Sequence, residues 1–277
     1  MENFINPKHL GESTVTSYHT QFKQAKPWNY VVLKDFLTKE FADSLSNNFP
    51  PVDQFNVKRK SYNEAKAEEY HLERFHPDFT KLRDFLNSPA MSEWMGKVTG
   101  IKGMTSTYDA LGTGLHQGVN GSFVDVHLDL NMNPGQNIQR HVNLLIYLNQ
   151  NWKEEYGGAL EVWDKDVKVC HDKVYPYHNT ALIMITNDES YHGYSKISIP
   201  EDERRKSVYC YYYTPIQSDN FTYRDSRFKA RPEEGMLKKM VTDLKETAKI
   251  NIKRVLRLGG VKSLDFQDKN KKDGSSK

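Results

Sequence analysis

A chain of 277 residues, 37% hydrophobic and 12% aromatic, can bury one sizeable core, as one large domain or two small ones. Its mean hydropathy of −0.77 and the lack of an apolar run of about 18 residues exclude a membrane-spanning helix. The formal charge of +3 conceals an asymmetry: residues 1–223 carry 23 Lys/Arg against 28 Asp/Glu, and residues 224–277 carry 16 against 8. The body is therefore mildly acidic, which argues against a general nucleic-acid binder, and the C-terminal segment is basic. The start, MENFINPKHL, has no apolar core of a secretory signal. Cys170 and Cys210, the two cysteines, sit among apolar and aromatic residues, so a reduced, cytoplasmic protein is expected.

Residues 1–25 are polar without a clear period and read as a loosely ordered lead. Tyr30-Val31-Val32-Leu33 is a short β-rich run. Thr38 can cap a helix carrying Phe41, Leu45 and Phe49 at helical spacing, and Pro50-Pro51 stops it. Residues 52–80 are charged and irregular. Residues 81–98 read as one or two short helices, interrupted near Asn87-Ser88-Pro89, with Gly100 and Gly103 marking a turn.

From about residue 104 the period changes to two. FVDVHLDLNM, RHVNLLIYLN, GALEVWD, TALIMIT and SVYCYYYT are short β-branched or aromatic runs. They are separated by turn signals such as Asn120-Gly121, Asn133-Pro134-Gly135 and Gly157-Gly158. This spacing predicts a mainly β sandwich or barrel over residues 104–216, inside one domain spanning 26–231, with flanking helices. Residues 215–231 read as an ordered loop. Residues 232–260 hold a basic amphipathic helix, its stripe formed by Leu237, Met240, Val241, Leu244, Ala248, Ile252 and Val255, and Gly259-Gly260 end it. Such a stripe is expected to pack on the domain's own sheet. The alternative is contact with a partner or an anionic surface. Residues 261–277 have the composition of a disordered tail.

Chemistry concentrates between residues 127 and 214. In a strand, residues i and i+2 share a face, so His127 and Asp129 can bind one ion together. His192, after the strand-like TALIMIT, supplies a second imidazole. Two histidines and a carboxylate occupy one triangular face of an octahedron and leave three positions open, as an oxygen-activating Fe(II) site requires. Arg205 opens a strand and can clamp a carboxylate; Arg204 competes for that role.

These motifs together resemble the iron- and 2-oxoglutarate-dependent dioxygenases, in their prolyl-4-hydroxylase-like branch. HLD resembles the family's first ligand pair, IYLNQNWKEEYGGALEVWD a strand pair, and YHGY followed by RKSVYCYYYT the distal histidine and the oxoglutarate arginine. The likeness spans roughly residues 110–215, with weaker similarity on both sides. It implies a jelly-roll core and hydroxylation of an unactivated C–H bond in a prolyl residue, an amino acid or a sugar- or lipid-linked metabolite. Succinate and CO2 would be released. Fe(II), 2-oxoglutarate and O2 are implied, with ascorbate as a reductant. By resemblance His127, Asp129 and His192 are the iron ligands. Arg205 pairs with the far carboxylate of oxoglutarate, aided by Tyr147 and, more loosely, Ser207, while Arg204 is out of register by one. Gln117 stands where many prolyl hydroxylases have a tyrosine, which leaves the contact at the iron end of the co-substrate open. Asp129, where related halogenases carry a small residue, disfavours halogenation.

Asn131 and Asn143 are candidates for orienting the ligands. Tyr108 and Trp163 are candidates for walls of a substrate pocket, and His141 for its lining. His116, His171 and His178 read as surface or strand-face residues. One alternative is a non-catalytic jelly-roll that binds metal or acts as a sensor. Another, a nucleic-acid protein using the basic tail, is disfavoured because the tail lacks interleaved aromatics.

Overall fold

The computed structural model describes residues 1, 3–217 and 221–258, with side chains as far as Ala248. In chain order the main elements begin with α1 (Glu12–Gln24), β1 (Tyr30–Lys34), α2 (Lys39–Asn47), β2 (Val57–Lys60), β3 (Glu64–Glu69), α3 (Pro77–Leu86) and α4 (Pro89–Thr99). The strand-rich part follows, with β4 (Thr113–Gly118), β5 (Phe123–Leu128), β6 (Met132–Asn133), β7 (Ile138–Tyr147), β8 (Leu160–Trp163), β9 (Cys170–Val174), β10 (Thr180–Ile185), β11 (His192–Tyr194), β12 (Arg205–Pro215) and β13 (Arg227–Phe228). The last element is α5 (Met236–Leu258). The strands pair in the order β1-β10-β7-β12-β4-β3-β5-β11-β8-β9, with β2 added to β3, β6 to β7 and β13 to β5. This antiparallel sheet curls into the nearly closed jelly roll that the period-two runs predict.

The strand period decides what each face does. On β7, Val142, Leu144 and Ile146 pack outward against a large apolar layer that includes Val15, Leu45, Leu82 and Met95 of α1 to α4. Leu145 and Tyr147 point the other way, into a second cluster with Trp28, Leu160, Val162, Leu182, Met184 and Tyr209. The helices thus cover one face of the sheet and leave the barrel interior to the site. Leu144 is fully buried between the layers. Leu144→Ala is therefore expected to destabilise the fold by about 2–5 kcal/mol, read by urea denaturation. A loss under about 1 kcal/mol would show that the helices do not seal this face.

The interruption at Asn87-Ser88-Pro89 is real: α3 and α4 are separate helices. Ser88 Oγ accepts the Met91 N–H at 3.2 Å, Pro89 fills the first turn, and Gly100 at φ +80° ends α4. Two stretches depart from expectation. The lead contains α1, because Val15 and Phe22 are buried and the His19 ring bonds Val98 O of α4 at 3.2 Å. The charged stretch 52–80 holds the β2–β3 hairpin, whose strand β3 bridges β4 and β5.

α5 forms within the expected bounds but in the reverse orientation. Leu237, Met240 and Leu244 are 74%, 60% and 66% exposed, whereas Thr242 is fully buried. The cause is electrostatic. Lys238 Nζ pairs with Asp125 at 2.9 Å, and Asn63 Nδ2 donates to Thr242 Oγ1 at 3.4 Å, so the polar side of the helix turns to the acidic body. Among the described residues no helix is long and apolar enough to cross a membrane. The expected tail, 261–277, lies outside the described residues.

Candidate metal centre

His127 lies near the end of β5 and Asp129 two residues on, so both reach the same side of the strand. His192 opens β11 directly opposite His127. Gly193, the next residue, lets the two strands close up: a Cβ there would come within 2.8 Å of Val124 O. Nε2 of His127 lies 3.5 Å from Asp129 Oδ1, and Nε2 of His192 lies 3.9 Å from the same oxygen. One ligand atom from each of the three side chains falls within 4.8 Å of the others.

The second nitrogen of each ring is already used. His127 Nδ1 meets Asp125 O at 3.0 Å, and His192 Nδ1 meets Ser190 O at 2.9 Å. A carbonyl only accepts, so both Nδ1 atoms carry the proton and both Nε2 atoms present lone pairs to the Asp129 carboxylate. Burial, with the neighbouring His127, pushes His192 down to about 4 despite the opposing Asp129, so its ring is neutral at physiological pH. For Asp129, burial acts to raise the pKa. Its neighbours His127, His192 and the buried Arg140 outweigh that and hold the carboxyl well below the usual carboxylate range. Asn143 Nδ2 donates to Asp129 Oδ2 at 3.2 Å, leaving Oδ1 directed at the imidazoles. Neutral imidazoles, an ionised carboxylate and fixed outer partners make a site prepared for a divalent transition metal.

From this triad a cavity extends to Arg205, lined also by Lys66, Gln117, Ser207 and Tyr211. Arg205 is 6% exposed. Its Nε donates to Gly158 O at 2.8 Å, and its guanidinium lies 4.1 Å from the Tyr194 ring centroid and 5.2 Å from that of Tyr147. No carboxylate faces this cation among the ion pairs of the described residues. Tyr147 Oη stands beside it without a well-directed hydrogen bond, and Ser207 Oγ is likewise buried and unpartnered. Burial raises the Tyr147 hydroxyl against the pull of Arg205, so it remains a donor. A guanidinium with two idle hydroxyls is a cradle for a carboxylate, and a dicarboxylate reaching from it to the triad fits the residues present.

Gln117 also lines the cavity, with Nε2 on Pro50 O at 3.0 Å and its buried Oε1 unpartnered. Placed this way it offers an acceptor. Arg204 turns away, to Glu201 O and Glu203 O, so the register chooses Arg205. Asn143 reaches a triad residue as anticipated; Asn131 does not, because it bonds Thr222 O and the Arg224 N–H instead. Tyr108 is 62% exposed and does not line this cavity. Trp163 packs with Val126, Leu128 and Tyr191 away from the cavity. His141 bonds Thr214 Oγ1 at 2.8 Å and does not line the cavity. His116, read from sequence as a strand-face histidine, does line it, stacked on Tyr209 with centroids 4.3 Å apart and lowered by burial to about 4.

Sequence reasoning missed four further groups. Lys66 enters the cavity, paired with Glu68 at 2.8 Å; the alternation Glu64, Lys66, Glu68 is its only signal. Arg140 is buried, donates to Tyr213 Oη at 2.9 Å and lies 3.6 Å from the Tyr211 ring centroid. Strand parity would turn Arg140 outward with Val142, but the irregularity that pairs Tyr212 with Val142 and Tyr213 with Arg140 turns it in. Arg224 Nη1 donates to Asp129 O at 2.8 Å. Phe228 of β13 sits opposite His127, their rings 5.4 Å apart.

The family model of the 2OG-Fe(II) oxygenase superfamily matches residues 113–213, from β4 to β12. No curated protein matches the chain. Among solved structures, a Pseudomonas putida prolyl-4-hydroxylase is similar with a TM-score of 0.53 and 13% identity, over 73% of this chain and 99% of that one. A Trichoplax adhaerens prolyl hydroxylase, solved with a hypoxia inducible factor oxygen degradation domain peptide fragment, gives 0.51 and 16%, over 73% and 91%. A Burkholderia pseudomallei oxidoreductase of the 2OG-Fe(II) oxygenase family gives 0.50 and 16%, over 76% and 94%. At these identities the structures speak for the fold, and the family match speaks for the core that holds the triad. The core that holds the triad, residues 113–213, thus matches the 2OG-Fe(II) oxygenase superfamily, and it sits in a jelly roll like that of the prolyl hydroxylases.

Proposed function

We propose that the protein hydroxylates an unactivated C–H bond, using Fe(II) held by His127, Asp129 and His192 and 2-oxoglutarate held by Arg205, Tyr147 and Ser207. The observation that carries this reading is the pairing of two half-sites in one cavity. One end presents two Nε2 lone pairs and a carboxylate oxygen, and the other presents a cation and two hydroxyls without partners. When bound, iron and oxoglutarate together supply the insertion of oxygen into a C–H bond, with oxoglutarate converted to succinate and CO2.

The chain's own part is placement. The Asp125 and Ser190 carbonyls fix the two imidazoles by their Nδ1–H groups, so no ring rotation is needed for Nε2 to coordinate. Arg205 neutralises the far carboxylate while Tyr147 and Ser207 donate to its oxygens. Leu145, Leu160 and Tyr211 border the cavity and limit water around the reacting atoms. The neighbour solved with a peptide fragment supports a peptidyl substrate as one class for this cavity, beside a free small molecule. Lys66 and His116 also line the cavity.

The test is succinate formation and O2 consumption by the purified protein with Fe(II) and 2-oxoglutarate, before and after adding metabolite extracts. Turnover that needs both additions is expected. Stoichiometric iron binding with no oxoglutarate consumption under any mixture would assign the chain a metal-binding role instead. Within the site, Asn143→Ala removes the donor to Asp129 Oδ2. It is expected to weaken Fe(II) binding about 10–100-fold, read by metal titration, with the fold intact.

A further inference from the structure

We propose that α5 is an interfacial helix that seats the protein on an anionic lipid bilayer surface. Its polar side is held to the body. Lys238 pairs with Asp125, Thr242 is buried at Asn63, and Lys245 lies 4.4 Å from the Tyr62 ring centroid. Preceding it, Arg231 is 4% exposed and bonds Glu161 at 2.8 Å, which anchors the segment leading into the helix. The apolar side consequently faces away from the domain: Met236, Leu237, Met240 and Leu244 are 80%, 74%, 60% and 66% exposed.

At 3.6 residues per turn these four side chains fall within an arc of about 100°, with Lys239 beyond one edge and Lys245 beyond the other. Across its length α5 carries seven basic against two acidic residues. An apolar centre with cationic flanks and low overall hydrophobicity is the pattern of a helix lying in the headgroup region, its lysines extended toward lipid phosphates. The excess of positive charge decides the occupant. Two copies of so cationic a helix repel at a shared seam, whereas an anionic surface attracts the positive charge left over beyond the Lys238 pair with Asp125. The assignment is independent of the reaction at the metal centre, although β13, eight residues before α5, lies against His127 and so ties the docking surface to the wall of the site.

The test is co-sedimentation of the full chain with vesicles of phosphatidylcholine alone and of phosphatidylcholine with phosphatidylserine. Binding to the anionic vesicles is expected to be at least about tenfold tighter than to neutral ones and to weaken in high salt. The triple variant Leu237→Ser/Met240→Ser/Leu244→Ser changes exposed positions only. It should keep the thermal melt and lose about tenfold or more in anionic-vesicle binding. No pelleting with anionic vesicles, equal pelleting with neutral ones, or full retention in the triple variant each overturns the proposal. So does a concentration-dependent dimer of the wild type that the triple variant abolishes, which would give the stripe to a second copy.

Discussion

His192→Ala is expected to reduce oxoglutarate turnover by about 1000-fold or more, equivalent to about 4 kcal/mol of transition-state stabilisation. The size follows from what the residue supplies. Loss of an outer hydrogen-bond partner of a ligand costs about 10–100-fold in metal affinity, so loss of the ligand itself costs more. His192 also has no substitute nearby. Its ring faces His127 at a centroid distance of 4.4 Å, and among the described residues no other His, Cys, Asp or Glu completes a group with the remaining two. The backbone pairing of β11 with β5 and β8 does not depend on the side chain, so the variant should fold. Fe(II) titration and succinate assay would be read together. Turnover within tenfold of the wild type would remove His192 from the metal centre and, with it, the proposed ligand set.

The triad was legible from sequence because strand geometry is regular. His127 and Asp129 share a face at spacing two, and a strand with the right parity delivers Arg205, Ser207, Tyr209 and Tyr211 to the same side. The jelly roll was legible for the same reason, since period-two runs separated by turn residues admit few other folds. What escaped has physical causes. Arg140 sits past an irregularity that resets parity. Strand β3 offers only alanines as its apolar alternates, so its alternation is one of charge and size rather than of hydrophobicity, and Lys66 went unread with it. α1 presents just Val15 and Phe22 to the core, a stripe too thin to stand out in a polar stretch. α5 was recognised as amphipathic but turned the wrong way. Periodicity tells that a helix has two faces, and only partners brought close by the fold, Asp125 at Lys238 and Asn63 at Thr242, decide which face turns inward.

The same parity argument yields a second large effect, on co-substrate affinity. Arg205→Ala is expected to raise the KM for 2-oxoglutarate about 100-fold or more, with Arg204→Ala within about twofold of the wild type. Removing one member of a buried charge pair costs about 3–5 kcal/mol, because the other charge is left desolvated without its partner, and each 1.4 kcal/mol is a factor of ten. Here the partner is the co-substrate carboxylate, free to stay in water, so the lower part of that range applies. Arg204 stands outside the cavity on backbone oxygens of its own loop and has no carboxylate to lose. Arg205→Lys separates charge from shape: an ammonium keeps the attraction but loses the planar fork and the stacking between Tyr147 and Tyr194, so a KM between those of wild type and Arg205→Ala is expected. Tyr147→Phe, which deletes one idle hydroxyl and leaves the packing, should cost about tenfold or less. The ordering Arg205→Ala, Arg205→Lys, Tyr147→Phe, Arg204→Ala, from largest to smallest increase in KM, is the signature of a carboxylate held at Arg205. A larger increase for Arg204→Ala than for Arg205→Ala would mean that β12 enters the barrel one residue out of the register described, which would also displace Ser207, Tyr209 and Tyr211 from the cavity side.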